Sequence, residues 1–277
     1  MIRTLAVAAL SLLAQAGKHK GPLPGQGIDW HGDWDVAIKE ATARNVPMLF
    51  YAAQDGSAQC KAMAESTWTD RKVIDASRNF VCIVGDQTTG HGANEVILGR
   101  EKVKLCSQYY TIPCEKHVEG SKVAGRFFQG QYTVPITVFA EPGGKELFNK
   151  QASLNAGDMV KQMNDALSKV TGEKVPLPAW QAAKQLVKDA EAALEKKDGK
   201  KAVDAYTKIG KLSRSPWFKD TSRDGLDKVN TEGEKLLQDA LALGTAAEKK
   251  KALQTIADDF KPLRVSAQAK KELDALK

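Results

Sequence analysis

The stretch YAAQDGSAQCKAM, residues 51–63, sets Cys60 at the opening of an expected helix, with Ser57 three positions before it. Two cysteines at that spacing, behind a buried strand, would make a dithiol centre. One thiolate attacks a disulfide sulfur and the second thiol resolves the mixed disulfide. A serine hydroxyl does not attack sulfur usefully at neutral pH and cannot bridge to it, so Ser57 and Cys60 cannot run that cycle alone. The amides and macrodipole of a helix N-terminus favour an anion nearby, most of all at the first position, which is Ser57. Cys60 falls inside the first turn, where burial makes a thiol inert. Three uses of Cys60 stay open: a single thiol that forms mixed disulfides with a client or with glutathione, a partner for another cysteine of the chain, or a small core residue in a domain that binds without reacting.

The remaining cysteines divide into two kinds. Cys82, inside FVCIVGD, reads as a buried core thiol. Cys106 and Cys114 flank SQYYTIP, and a local disulfide there would close a short loop worth ~2–3 kcal/mol on the chain-entropy model. Of the three connectivities four cysteines allow, 106–114 with Cys60 and Cys82 unbridged is the preferred one. Cys114 and His117 would share a face if helical, and His91 could join them. Cys106, Cys114 and His117 would then be a metal-transport or buffering site. The spacing matches no standard zinc pattern, and the chain is expected to hold no metal and no cofactor. It contains neither a phosphate-binding G-x-x-x-x-G-K-[ST] loop nor an H-E-x-x-H pair.

The elements that must position these residues are read from periodicity. DWDVAIKEATARN (33–45) predicts a helix with Asp33 as N-cap and Asn45 at its end; VPMLFYAA (46–53) predicts a strand buried on both faces. Residues 60–79 read helix, turn, helix, and NFVCIVGD a second strand. Residues 87–114 lack a clean period and read as an insertion with a long loop, and 114–131 as a helix leading into a loop. Strands are expected at 136–140 and 146–149 around Glu141-Pro142-Gly143-Gly144, a hairpin signal, then an amphipathic helix over 156–172. Residues 173–178, EKVPLP, read as a linker. Helices follow near 179–197, 200–213, 221–243, 245–259 and 264–276, as a small bundle or a unit of paired repeats.

The succession of strand, S-x-x-C helix opening, helix, strand, insertion, Val134-Pro135 strand, hairpin and helix resembles the thioredoxin fold. It is most similar to exported thioredoxin-like families that begin with a tryptophan-containing helix, on DWDVAIKEATARNVPMLFYAA, CKAMAESTWTDRKVIDASRNFVCI and TVPITVFAEPGGKEL. The resemblance covers roughly residues 29–170. It implies an α/β domain with a central mixed sheet flanked by helices, residues 29–172, ahead of an all-α domain at 179–277. It also implies that Pro135 is cis and packs beside the active-site position, so that Ser57, Cys60 and Pro135 form the site. The chain departs from the family in having Ser57 where the nucleophilic cysteine would stand, and in its C-terminal third.

The ends and the composition bound the rest. MIRTLAVAALSLLAQAG has one positive charge, a short apolar run and a small-x-small site, the pattern of a secretory signal peptide cleaved near Ala16. Residues 17–28 then read as a flexible leader, and the mature chain as periplasmic or extracellular. The net charge of +7 is spread along the chain and comes without a basic arm interleaved with aromatics, which argues against nucleic acid. No stretch is long and apolar enough to span a membrane. The expected partner is a protein or peptide client, held by a mixed disulfide or in a thioredoxin-type groove; nothing in the sequence sets an oligomeric state.

Overall fold

The computed structural model describes residues 21–89, 91–98 and 101–276. The expected signal peptide lies outside the described residues, as does the first part of the leader. Residues 21–28, expected to be flexible, form a packed turn: Gln26 N–H donates to Leu23 O, Arg78 donates to Gly25 O, and Ile28 is buried. The chain divides into two compact units. One runs to Ala41 and resumes over Pro47–Val170; the other is Thr42–Val46 with Thr171–Lys277.

The first unit is a thioredoxin-like α/β domain. Its elements are β1 (Trp30–His31), α1 (Trp34–Arg44), β2 (Met48–Ala53), α2 (Ala58–Ala62), a π-helical turn (Met63–Thr67), α3 (Arg71–Ser77), β3 (Val81–Asp86), β4 (Ala93–Leu98), β5 (Glu101–Cys106), α4 (Cys114–Ser121), α5 (Ala124–Phe127), β6 (Ile136–Ala140), β7 (Glu146–Lys150) and α6 (Ala156–Lys169). The sheet order is β1-β3-β2-β6-β7, with β1, β3 and β2 parallel and β6 antiparallel to both its neighbours, β2 and β7. Every residue of β2, β3 and β6 is buried. That is why these strands carry continuous apolar runs instead of alternation.

Side chains of β2 and β3 alternate between two layers. Leu49, Tyr51, Cys82 and Val84 join Cys60, Met63, Trp68, Met159 and Met163 in one core. Phe50 points the other way and stacks on Phe127 of α5. Asp33 caps α1, its Oδ1 accepting from Val36 N–H at 2.9 Å, and Asp70 caps α3. The π-helical turn carries Trp68 to an edge-on contact with Tyr51, ring centroids 4.8 Å apart. Glycine permits one unusually close approach. A Cβ on Gly120 of α4 would lie 2.2 Å from Val84 O, and one on Gly32 would lie 2.0 Å from Lys116 O. The α4 backbone therefore rests directly on the β1–β3 edge of the sheet.

Residues 87–114 depart from the expected long loop. β4 and β5 pair antiparallel as a separate two-stranded sheet, with Ala93 opposite Cys106 and Leu98 opposite Glu101. Only Val96, Leu105 and Cys106 of these two strands are buried. A ribbon with so few buried positions shows little apolar periodicity, so its strands were hidden.

The second unit is helical: α7 (Leu177–Glu195), α8 (Gly199–Leu212), α9 (Pro216–Ala242), α10 (Ala246–Asp259) and α11 (Arg264–Ala275). Each packs on the next around Trp180, Tyr206, Phe218 and Phe260. α9 begins five residues before the expected 221, because Pro216 at its first turn is preorganised for a helix start and not a break. Thr245 and Glu248 make a reciprocal capping box on α10. The expected linker is tied down: Val175 N–H donates to Arg44 O at 2.8 Å, and the buried Arg44 Nε donates back to Val175 O at 3.0 Å. Asn45, at φ 51°, ends α1 and donates to Thr171 O and Glu173 O.

Glu173 supplies a pH-sensitive tie in this unit. Its carboxylate accepts from Ser213 Oγ at 2.8 Å and from Arg214 N–H at 3.2 Å, and these contacts, Ser213 first, hold its pKa below the ordinary glutamate value. A carboxylate depressed on folding contributes stability that is fully present above its unfolded pKa, about 4.3, and is lost as pH falls through the lower folded value. Denaturant midpoints of the wild type and Glu173→Gln should therefore differ at neutral pH and converge below about pH 4. A gap unchanged on acidification would show that the carboxylate's charge is not what matters.

Candidate functional site

The C-terminal end of β2 gathers the residues singled out by spacing. After Ala53 the chain turns through Gln54–Gly56 and enters α2. Ser57 is the N-cap in extended conformation, and its Oγ accepts from Cys60 N–H at 3.3 Å. On the neighbouring strand Ile136 pairs with Ala52, so Pro135 stands level with Ala53 at the same end of the sheet. The Val134–Pro135 bond is cis and Pro135 is buried.

The three residues differ in access. Ser57 is half-buried at the surface, whereas Cys60 is 0% exposed. The sulfur of Cys60 sits in the apolar core with Met63, Trp68 and Tyr51. The Tyr51 hydroxyl faces Cys60 and Trp68, is buried, and makes no hydrogen bond among the described residues. Burial, then the neighbouring Cys60, push the Tyr51 pKa well above its ordinary value, so the phenol stays neutral.

A cleft of about 500 Å³ opens beside Ser57. Its walls are the 54–58 turn, Lys61 and Glu65 on one side and His91, Ser107, Gln108 and Tyr110 on the other. Of the three residues expected to form the site, one borders this cleft. Ser57 reaches the cleft, but neither Cys60 nor Pro135 lines it, because Cys60 points inward from the first turn of α2. The opposite wall comes from the insertion.

Behind that wall lies a cluster of two thiols and two imidazoles. His91, Cys106, Cys114 and His117 each offer a ligand atom, all within 4.8 Å of one another. The β4–β5 ribbon brings His91, two residues before β4, beside Cys106 at the end of β5. Ser107 N–H donates to Gly92 O at 3.3 Å, and Ser107 Oγ donates to His91 O. Residues 107–113 then fold back, with Cys106 N–H donating to Ile112 O at 2.8 Å, and Cys114 opens α4. His117, one turn on, is buried and fully oriented.

Its Nδ1 is 2.9 Å from Asp86 O, a carbonyl that can only accept, so the proton sits on Nδ1 and Nε2 carries a lone pair. Burial above all lowers the His117 pKa, which keeps the ring neutral at neutral pH. Asp86 is anchored by Tyr109, whose hydroxyl donates to Oδ2 at 2.8 Å. The His91 ring is 5% exposed, with Nε2 3.1 Å from His117 Nε2 and Nδ1 3.6 Å from the Asp55 carboxylate. Burial pushes the Cys106 thiol up to about 12 and also raises Cys114, which is half-buried.

All four cysteines are thiols, so the expected 106–114 bridge is not formed although the two sulfurs face each other. Cys82 is a buried β3 thiol, as its apolar neighbours indicated. Sequence reasoning had named His91, Cys106, Cys114 and His117 in different combinations without closing the four into one group. The signal present was C-x-x-H at 114–117; the rest depended on the hidden ribbon.

Residues 29–113, less than half of the chain, match the family described as thioredoxin-like. A solved structure titled "DsbH Oxidoreductase" aligns over 52% of this chain and 86% of its own, at 14% identity and a TM-score of 0.35. No curated protein matches the chain. Among the described residues no helix is long and apolar enough to cross a membrane.

Proposed function

We propose that this is an exported thioredoxin-like protein of the thiol–disulfide class that binds a client segment instead of exchanging disulfides with it through the S-x-x-C position. One observation carries the reading: the sulfur at residue 60 is fully enclosed, while the half-buried position of the motif holds a hydroxyl already used to cap the helix. The cleft beside Ser57 offers Gln54, Asp55, Lys61, Glu65 and Gln108 to a polar peptide segment. Polar donors and acceptors of this kind fix the orientation of a bound chain without bond formation. The signal-like N-terminus supports export, and the helical unit supplies a second surface for a partner.

The test is native alkylation followed by peptide mapping. Cys60 should be labelled at least about 100-fold more slowly in the folded protein than in denaturant, as for a group exposed only by opening of the structure. Wild type and Cys60→Ser should reduce insulin disulfides equally, at the uncatalysed rate. Rapid native labelling of Cys60, together with reductase activity lost in Cys60→Ser, would replace this reading with that of a single working thiol.

A further inference from the structure

We propose that His91, Cys106, Cys114 and His117 form a closed tetrahedral site for a zinc-class divalent cation. The site is separate from the S-x-x-C position and does not depend on the function proposed above.

The donor set comes first. Two sulfurs and two imidazole nitrogens in a tetrahedron select zinc over magnesium or calcium, which take oxygen donors. With Zn–S near 2.3 Å and Zn–N near 2.0–2.1 Å, the donor atoms of such a tetrahedron lie ~3.3–3.8 Å from one another. Here all four fall within 4.8 Å, and the two Nε2 atoms are 3.1 Å apart. Against the 4.8 Å limit, closing on an ion shortens donor separations by about an ångström.

The orientation of the rings is the second observation. Asp86 O fixes the His117 proton on Nδ1 and leaves a bare lone pair on Nε2, aimed at His91. The His91 ring presents Nδ1 to the Asp55 carboxylate and Nε2 to the cluster. Its Nδ1 is buried and has no hydrogen-bond partner among the described residues. Each imidazole thus has one nitrogen on an outer oxygen or facing one, and the other turned inward. That is how metal-bound histidines are held in the right tautomer. With no ion bound, an Nε2–H on His91 can donate to the His117 Nε2 lone pair across 3.1 Å; a cation would take the place of that proton and accept from both nitrogens' lone pairs.

Charge is the third. Two thiolates and two neutral imidazoles around a divalent ion give a centre with no net charge, which suits a pocket where Cys106 and His117 are fully buried. Binding transfers the two thiol protons to solvent and changes no oxidation state. All four positions are filled by protein, which marks a structural site and not a catalytic one. Such an ion would tie the β4–β5 ribbon to the start of α4, and so hold the wall of the cleft that His91, Ser107 and Gln108 provide.

The experiment uses the full chain, purified reduced and loaded with Zn²⁺ or Co²⁺. One equivalent per chain should resist dialysis, and the cobalt form should show the intense visible bands of a tetrahedral ion with sulfur charge transfer. Cys114→Ser, at the least buried ligand, and His91→Ala should each weaken chelator-competed binding by about 100-fold or more, beyond the 10–100-fold that loss of an outer contact causes. Cys82→Ala, outside the four, should retain the stoichiometry. Folded, reduced protein that binds no equivalent overturns the site. So does octahedral cobalt, retention of full affinity by both ligand variants, or a mapped Cys106–Cys114 disulfide in the protein from its own compartment.

Discussion

Ser57→Cys should turn a protein with background reductase activity into one that reduces insulin disulfides by thiol–disulfide exchange. Residue 57 is accessible and caps α2, and Ser57 Oγ already lies 3.3 Å from Cys60 N–H. A sulfur at that place would be a thiolate favoured by the amides of the helix opening. Attack on a client disulfide needs only the residue-57 sulfur to meet solvent. Cys60 would then resolve the mixed disulfide from inside the first turn, where its burial is no obstacle, because its target is its neighbour. Well-oriented intramolecular attack has an effective molarity of ~10⁵ M or more, so a gain of at least about tenfold over wild type is a conservative expectation. The variant should also form a 57–60 disulfide on mild oxidation, seen as a loss of two thiols in a native titration. Failure to form that bridge, with no gain in activity, would show that this end of the sheet does not have the geometry of a dithiol centre.

Gly120→Ala should cost the α/β unit more stability than any change confined to its surface. Alanine normally improves a helix by about 1 kcal/mol over glycine. Here its methyl would lie 2.2 Å from Val84 O, and that neighbour is strand backbone of β3, not the end of a flexible side chain. α4 must move away, which parts the Gly32–Lys116 contact as well. Overpacking of this kind costs ~1–3 kcal/mol, occasionally more, and here exceeds the helical gain. Because α4 carries Cys114 and His117, the displacement also draws His117 from Asp86 O. Gly125→Ala in α5, where an added Cβ meets nothing within 4 Å, is the control and should be neutral or stabilising. Urea unfolding of the two variants against wild type measures the difference. Equal midpoints for Gly120→Ala and wild type would mean that α4 does not bear on the sheet as closely as described.

The order of elements was legible because each signal is local. MLFYAA, VCIVGD and ITVFA are buried on both faces and read as continuous apolar runs, while Asp33 announces a helix start within a turn of itself. The burial of Cys60 was legible for the same reason: the third residue after an N-cap turns back into the first turn. The five helices of the second unit followed from a 3.6-residue period, apart from the early start of α9.

Three things came only with tertiary structure. The β4–β5 ribbon buries too little to imprint a period on residues 93–106. The cleft takes one wall from α2 and the other from the insertion, so no single stretch of chain describes it. Cys106, Cys114 and the two histidines are separated in sequence by a ribbon, a return loop and a helical turn, and their meeting depends on α4 lying against the sheet at Gly32 and Gly120. Sequence by itself determined which segments are strands and helices and which side of each is apolar, because those depend on neighbours within a few residues. Which thiols and imidazoles share one pocket was decided by packing alone, because the distances that matter there are set between segments that carry no record of one another.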